Sequence, residues 1–300
     1  MNSCRVAVVQ SAPMLFDPPE TLGRFETLLA EGAAGGAELV VFPEAFIGGY
    51  PKGATFGATV GERTDEGRAL FARYRGSAID SFDDVRAIVA RSGVHVVVGV
   101  IERAGHTLYC TALLIASDGT LLGHHRKLVP TGTERLIWGQ GDAADIAVVD
   151  TDLGLVGMAI CWENYMPLYR TALYERGVQL YCAPTVDSRD TWAATMRHIA
   201  VEGRCFVVSA TQFATRDDFP PDFPLGPDPV VIRGGSCVVD PFGGFLAGPV
   251  FGQPDVLFAD LDLAVLDGAY LDLDVVGHYA RPDLFQLRTT TAPPRIGGPG

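Results

Sequence analysis

Three polar side chains close apolar runs of this sequence: Glu44 in "LVVFPEAF", Lys127 in "LLGHHRKLVPTGTERLIWGQGD" and Cys161 in "LVGMAICWENYMP". A charge beside a core needs a partner or a function, and the C-terminal ends of strands are where sites gather in open α/β sheets. The three types make coherent chemistry. A cysteine attacks as its thiolate, and its ordinary pKa of about 8.5 falls beside a lysine ammonium or a helix N-terminus. Cys161, between a strand and the helical segment "PLYRTALYERG", admits both influences. Glu44 can take the thiol proton and later activate water. Lys127 can stabilise charge developing on a substrate nitrogen or oxygen, with the backbone N–H of Trp162 as second donor. Each residue alone also has a plain structural reading: Cys161 a small core residue, Lys127 a solvated strand end, Glu44 a helix cap or half of a buried ion pair. Histidine is the more usual base for cysteine. Yet none of His95, His106, His124, His125 or His198 has a sequence context that marks it as one, and His124 and His125, adjacent in a strand, would point to opposite faces.

The elements that must hold these residues can be read from pattern. "CRVAVVQSA" is an opening strand. "DPPETLGRFETLLAEGAAGG" is a helix, with Asp17 as N-cap, Pro18 at the first position and Leu22, Phe25 and Leu29 at helical spacing. "AELVVFPE" is a strand apolar on both faces. "GGYPKGATFGATVG" has no period and reads as a long loop. A helix with Phe82, Val85 and Val89 on one face follows, then "VHVVVGVIER", "TLYCTALLIAS" and "LLGHHRK" as strands, the last two joined by an Asp118-Gly119 turn. "LGLVGMAIC" is a buried strand running up to Cys161. Beyond it come the "PLYRTALYERG" helix, the strand "VQLYCAPT", and a helix with Trp192, Met196, Ile199 and Ala200 on one stripe. "CFVVSATQF" and "DVLFADLDL" are strands, and "GGSCVVDPFGGFLAG" is a hairpin. "RDDFPPDFPLGPDP" is too rich in proline for regular structure. Residues 1–288 read as one α/β domain and 289–300 as a disordered tail. Alternation alone leaves a Rossmann-like sheet and an α-β-β-α sandwich both open, although no G-x-G-x-x-G follows the first strand.

Composition narrows the function classes. The chain has 300 residues, is 48% hydrophobic and carries a formal net charge of −13, which argues against a nucleic-acid partner. Its first residues lack the basic-then-apolar pattern of a secretory signal, and runs such as "VHVVVGVI" are too short to span a bilayer, so the expectation is a cytoplasmic protein without a membrane partner. The six cysteines are widely and irregularly spaced, with no C-x-x-C and no H-E-x-x-H, which predicts neither a zinc site nor a disulfide framework. All but Cys161 read as small buried hydrophobes.

The blocks "FPEAFIGGYPKG", "HRKLVPTGTERLIWGQGD", "CWENYMPLYRTALYERGVQLYCAPT", "MRHIAVEGRCFVVSATQF" and "DVVGHYARPD" resemble the nitrilase branch of the carbon–nitrogen hydrolase superfamily, from about Arg5 to Leu287. The resemblance implies a single-domain four-layer α-β-β-α sandwich, no metal or organic cofactor, and self-association into homodimers or larger homo-oligomers. It implies Cys161 as nucleophile, Glu44 as general base, Lys127 as electrophile stabiliser and Glu134 as a second glutamate orienting the lysine and water. Tyr50, Trp162 and Tyr165 match positions near the family's substrate pocket, and Glu163 would support the loop. The implied reaction takes a small-molecule nitrile and water to the carboxylic acid and ammonia. A cyanide dihydratase or an amidase on the same Glu-Lys-Cys site is the alternative, and a non-catalytic binding relative a third reading.

Overall fold

The structure is a computed structural model that describes residues 3–146 and 148–289. In the first half, β1 (Ser3–Gln10) leads into α1 (Pro18–Ala34), whose first turn is capped by the Asp17 carboxylate accepting the Glu20 N–H at 3.1 Å. Then come β2 (Leu39–Val41), α2 (Asp65–Ser77), α3 (Asp83–Ser92), β3 (His95–Ala104), β4 (Thr107–Ile115) and β5 (Leu121–Arg126). The second half runs β6 (Val148–Thr151), β7 (Gly154–Met158), α4 (Pro167–Tyr174), β8 (Leu180–Cys182), α5 (Asp190–Gly203), β9 (Phe206–Ser209), β10 (Phe213–Thr215), β11 (Val230–Arg233), β12 (Cys237–Val239), β13 (Phe245–Ala247), β14 (Asp255–Asp262) and α6 (Val265–Asp272).

Among the described residues the strands form two six-stranded mixed sheets, ordered β14-β1-β2-β3-β4-β5 and β13-β12-β9-β8-β7-β6, with β10 and β11 as a separate ribbon. The pleat explains why the sheets stack face to face. Val6, Val8, Leu39, Val41 and Val97 of the first sheet share one core with Val156, Met158, Leu180, Cys182, Phe206 and Val208 of the second. Their neighbours in register face outward: Ala7, Val9, Val40, Val96 and Val98 pack under Phe25 and Leu29 of α1 and Val85 and Val89 of α3. Tyr181 and Val207 pack under Leu173 of α4 and Trp192, Met196 and Ile199 of α5. The result is the α-β-β-α sandwich, the alternative that alternation alone had left open. No helix among the described residues is long and apolar enough to cross a membrane.

Strand direction sets the site. β2 pairs parallel with β3, and the antiparallel steps from β3 to β4 and β4 to β5 return β5 to the direction of β2. The chain therefore leaves β2 toward Glu44 and β5 toward Lys127 at the same end of one sheet. β7 and β8 are parallel in the other sheet and carry Cys161 and Thr185 just past their ends.

The strand expected to reach Cys161 stops at Met158, and Cys161 opens a short 3-10 turn, Cys161–Tyr165. The pattern-based expectations do not include α2, β6, β11 or α6. In α2 only Gly67, Tyr74 and Ser77 are buried, so no apolar stripe announces it. The proline-rich excursion holds one 3-10 turn, Arg216–Asp218, and is otherwise irregular up to β11. From residue 290 on, the segment expected to be a tail lies outside the described residues.

Candidate active site

Glu44 stands in the turn after β2, where the chain still follows β3: the Gly99 N–H donates to Pro43 O at 3.2 Å and the Ile47 N–H to Gly99 O at 3.0 Å. Gly99 makes that approach possible, because a β-carbon there would lie 2.5 Å from Ala45 N and 2.7 Å from Glu44 Cα. Ala45 itself turns through a positive φ of 53°. The Glu44 carboxylate is fully buried. Its Oε1 accepts from Lys127 Nζ at 2.7 Å and from Cys110 Sγ at 3.5 Å, its Oε2 accepts the Val186 N–H at 3.2 Å, and its backbone carbonyl accepts Gln212 Nε2 at 2.7 Å.

Lys127 follows β5 directly and is buried along its whole length. Its backbone is tied on both sides, N–H to Cys110 O and carbonyl to the Gly141 N–H, both at 2.8 Å. Besides Glu44, Nζ donates to Glu134 Oε2 at 2.8 Å and lies 5.8 Å from the Trp138 ring centroid. Glu134, in the 3-10 turn Gly132–Leu136, also accepts the Thr131 N–H at 2.6 Å and the Tyr50 hydroxyl at 2.8 Å. The ammonium thus sits between two buried carboxylates, which satisfy its charge more fully than one would.

Cys161 holds a φ of 49°, the left-handed region that a side chain enters only under constraint. The constraints are visible. Its N–H donates to Pro184 O at 2.9 Å, and Asn164 Nδ2 reaches back to Cys161 O at 2.8 Å and Ala159 O at 3.0 Å. The Glu163 carboxylate accepts the Ile160 and Leu128 N–H groups, both at 2.7 Å, and His125 Nε2 at 2.8 Å, so it ties the turn before Cys161 to the end of β5.

Electrostatics revise one expectation. The Cys161 thiol is not lowered: burial, then the charge of Glu44, pushes it up, against smaller opposing effects of Lys127 and Thr185. Glu44 is also raised, first by burial, with Lys127 pulling the other way and Glu134 adding to the rise. Lys127 is raised well above an ordinary lysine: burial favours the neutral amine, and Glu44 and the other acidic groups around it outweigh that. The resting site is therefore a neutral thiol beside an ammonium.

Of the residues expected at the pocket, Tyr50 spends its hydroxyl on Glu134 and stacks edge-on to Trp138. It lines, with Glu134, Ile137 and Trp138, a cavity of about 270 Å³. Trp162 and Tyr165 are 43% and 37% exposed. Trp162 donates its indole N–H to Asp187 at 3.0 Å and lies under the Arg189 guanidinium. Two parts of the site carry no functional mark among the sequence expectations: Cys110, a core residue by sequence, whose thiol meets Glu44, and the segment Thr185–Arg189, whose Val186 N–H donates to the same carboxylate. The rule that found Glu44 and Cys161 would have found the latter, since "TVDSRD" directly follows the apolar β8 run. Among the described residues no group of three or more His, Cys, Asp and Glu side chains is arranged to hold a metal ion.

Residues 5–269 match the family model for carbon-nitrogen hydrolase. An aliphatic nitrilase from Sinorhizobium fredii is 53% identical over 297 residues, covering 96% of both chains. A bifunctional nitrilase/nitrile hydratase from Nicotiana tabacum is 52% identical over 295 residues, 94% of this chain and 85% of the relative. Among solved structures, a mutant of the amidase from Nesterenkonia sp. AN1, described with acrylamide added at its active-site cysteine, superposes with a TM-score of 0.70 at 21% identity, covering 90% and 98% of the two chains. At that identity the likeness speaks for the fold.

Proposed function

The chain belongs to the carbon–nitrogen hydrolase family, and we propose that it works as a nitrilase, with Cys161 as nucleophile, Glu44 as general base and Lys127, oriented by Glu134, as the electrophile stabiliser. Identity near 50% to curated nitrilases over most of the chain supports nitrile hydrolysis. The observation that carries the residue roles is the buried ammonium of Lys127 held at 2.7 and 2.8 Å between Glu44 and Glu134.

The thiol sulfur adds to the nitrile carbon while its proton passes to Glu44 and on to the nitrogen, giving a neutral thioimidate. Lys127 and the Trp162 N–H stabilise the charge that develops on the nitrogen. Water, deprotonated by Glu44, adds to the same carbon. If the resulting tetrahedral adduct expels ammonia, an acyl thioester remains, and a second water releases the carboxylic acid and the thiol. If it expels the thiol instead, the product is the amide. The bifunctional nitrilase/nitrile hydratase among the relatives favours some flux through that second exit.

The test is ammonia release from propionitrile, benzonitrile, phenylacetonitrile, cyanide and a primary amide, with products identified, for wild type and Cys161→Ala. Acid and ammonia from a nitrile, absent in the variant, are expected. No release from any nitrile above the variant's level overturns the reading, and faster turnover of the amide makes it an amidase. We also propose self-association, because Leu168, Leu271, Tyr279, Leu284 and Phe285 leave large apolar side chains mostly exposed. Light scattering that gives a monomer across working concentrations refutes it.

A further inference from the structure

One carboxylate grips the backbone beside two of the candidate catalytic residues. Glu163 Oε1 accepts the N–H of Leu128, which follows Lys127, and Glu163 Oε2 accepts the N–H of Ile160, which precedes Cys161. The Glu163 side chain has no exposure to solvent, so its charge needs a buried counter-ion. His125, itself buried, faces it, with Nε2 at 2.8 and 3.1 Å from the two oxygens.

The surroundings of His125 specify its proton count. Nδ1 faces the carbonyl of Asp145 at 3.3 Å. Nε2 faces the carboxylate and, at 3.1 Å, the Tyr169 oxygen, whose own hydroxyl proton is committed to Met158 O at 2.6 Å. Both ring nitrogens therefore meet acceptors, and a neutral tautomer would turn a lone pair on an oxygen. We propose that His125 is an imidazolium and a positioning residue: through Glu163 it holds the Lys127 strand end and the Cys161 turn in register for the reaction. This rests on the nitrilase reading of the site only for what is being positioned.

The groups facing the ring are Glu163 from the Cys161 turn, Asp145 from the turn 143–145 and Tyr169 from α4, with Tyr181 and Arg176 acting on Tyr169 from behind. His124, the preceding strand residue, meets Glu102 through Nε2 at 2.9 Å and lies with Nδ1 3.8 Å from the Asp145 carboxylate. Burial disfavours the imidazolium, and Glu163 followed by Asp145 outweighs it, so the folded value lies above the ordinary 6.5. The sign follows: the tie is fully present below the unfolded histidine value and is lost as pH rises through the raised folded value. Lys127 is held far above the ordinary lysine range. On this proposal the alkaline side of activity should follow the loss of the His125 proton.

The test uses wild type labelled with 15N in its histidine rings. One of the six histidines must keep both ring nitrogens protonated at pH 7, and its signal must vanish in His125→Gln. A neutral His125 at pH 7 overturns the proposal without any reference to turnover, which separates this failure from failure of the nitrilase reading. On a nitrile that the wild type hydrolyses, His125→Gln should lower kcat about 100-fold through misplacement of the reacting groups, leave KM within about 3-fold as expected when ground-state binding is kept, and lose the alkaline limb. A variant with the wild-type limb overturns the idea. Should the variant not fold, the wild type still decides: its kcat and the imidazolium signal must fall with one apparent pKa, and separate values refute the link.

Discussion

Replacing Lys127 with methionine keeps the length of the side chain and removes its charge. In the folded protein Glu44 and Glu134 would then face each other across the vacated Nζ position, both at most 8% exposed. Unit charges 4 Å apart at an effective dielectric of 20 attract by about 4 kcal/mol, and the lysine now makes two such contacts. Some of that is returned because an ammonium no longer has to be desolvated. Breaking a buried pair from one side leaves about 3–5 kcal/mol of net destabilisation. With a urea slope of about 3 kcal/mol/M, the unfolding midpoint should fall by about 1 M or more. The loss must also depend on pH. Without the ammonium, one of the two carboxyls keeps a proton in the folded chain at pH values where the unfolded chain has released it. The folded state then binds more protons, so stability falls as pH rises through that window, by up to about 1.4 kcal/mol per unit. Urea titrations followed by tryptophan fluorescence should therefore show a larger penalty at pH 8 than at pH 5. In a Glu44→Gln background, with only Glu134 left unpaired, the same substitution should cost less than half as much. Turnover should fall by a factor of about 10² to 10³. A penalty equal at both pH values, or undiminished in the Glu44→Gln background, refutes the reading of Lys127 as a counter-ion shared by two carboxylates.

Three further outcomes follow from the site. Because Glu44 must be ionised to act as base and burial raises it, the acid limb of kcat/KM should lie above the ordinary 4.5; a pH–rate profile with its limb at or below that value contradicts the assignment. Gly99→Ala would drive a β-carbon to 2.5 Å from Pro43 O and Ala45 N, so it should cost about 1–3 kcal/mol in thermal or urea unfolding and displace Glu44 enough to lower kcat about 100-fold. With a φ of 49° at Cys161, Cys161→Gly should unfold at higher urea than Cys161→Ala, since only the alanine variant keeps a β-carbon in the left-handed region.

How much of this was legible in the sequence depends on the kind of contact. Strands buried on both faces, such as "ELVVF" and "VHVVVGVI", announce themselves by unbroken apolar runs, and polar residues just beyond them stand out for that reason. Glu44, Lys127, Cys161 and Glu134 were found that way or through family motifs, and the structure brings Glu44, Lys127 and Glu134 into direct contact beside Cys161. What pattern cannot supply is pairing between segments far apart in the chain. Nothing local in "TLYCTALLI" says that the Cys110 thiol meets a carboxylate 66 residues upstream. Nothing in "GHHRK" says which of its two histidines turns inward, only that they diverge, as His124 toward Glu102 and His125 toward Glu163 indeed do. The helix α2 was hidden for the opposite reason: Thr64, Asp65 and Glu66 make a good N-terminus, but the helix lies on the surface and lacks the stripe that periodicity detects.

The raised thiol of Cys161 gives the second glutamate its reason. Lys127 Nζ already has two carboxylates within 2.8 Å. A standing thiolate would add a further negative charge to that buried space, and burial and Glu44 together hold the proton on sulfur. On the proposed chemistry the proton leaves only as the sulfur–carbon bond forms, so no further charge builds up on the protein. That scheme makes a demand on the lysine. At the moment Glu44 takes the proton it ceases to be a counter-ion, and a lysine paired with it alone would be left as an unpaired buried cation just when its charge is needed on the substrate nitrogen. Glu134, at 2.8 Å from Nζ and fixed by Tyr50 and the Thr131 N–H, keeps the ammonium paired through that step. The base and the electrophile stabiliser can therefore share a hydrogen bond at rest and still work in sequence, because each has a second partner in place: the Val186 N–H for Glu44, and Glu134 for Lys127.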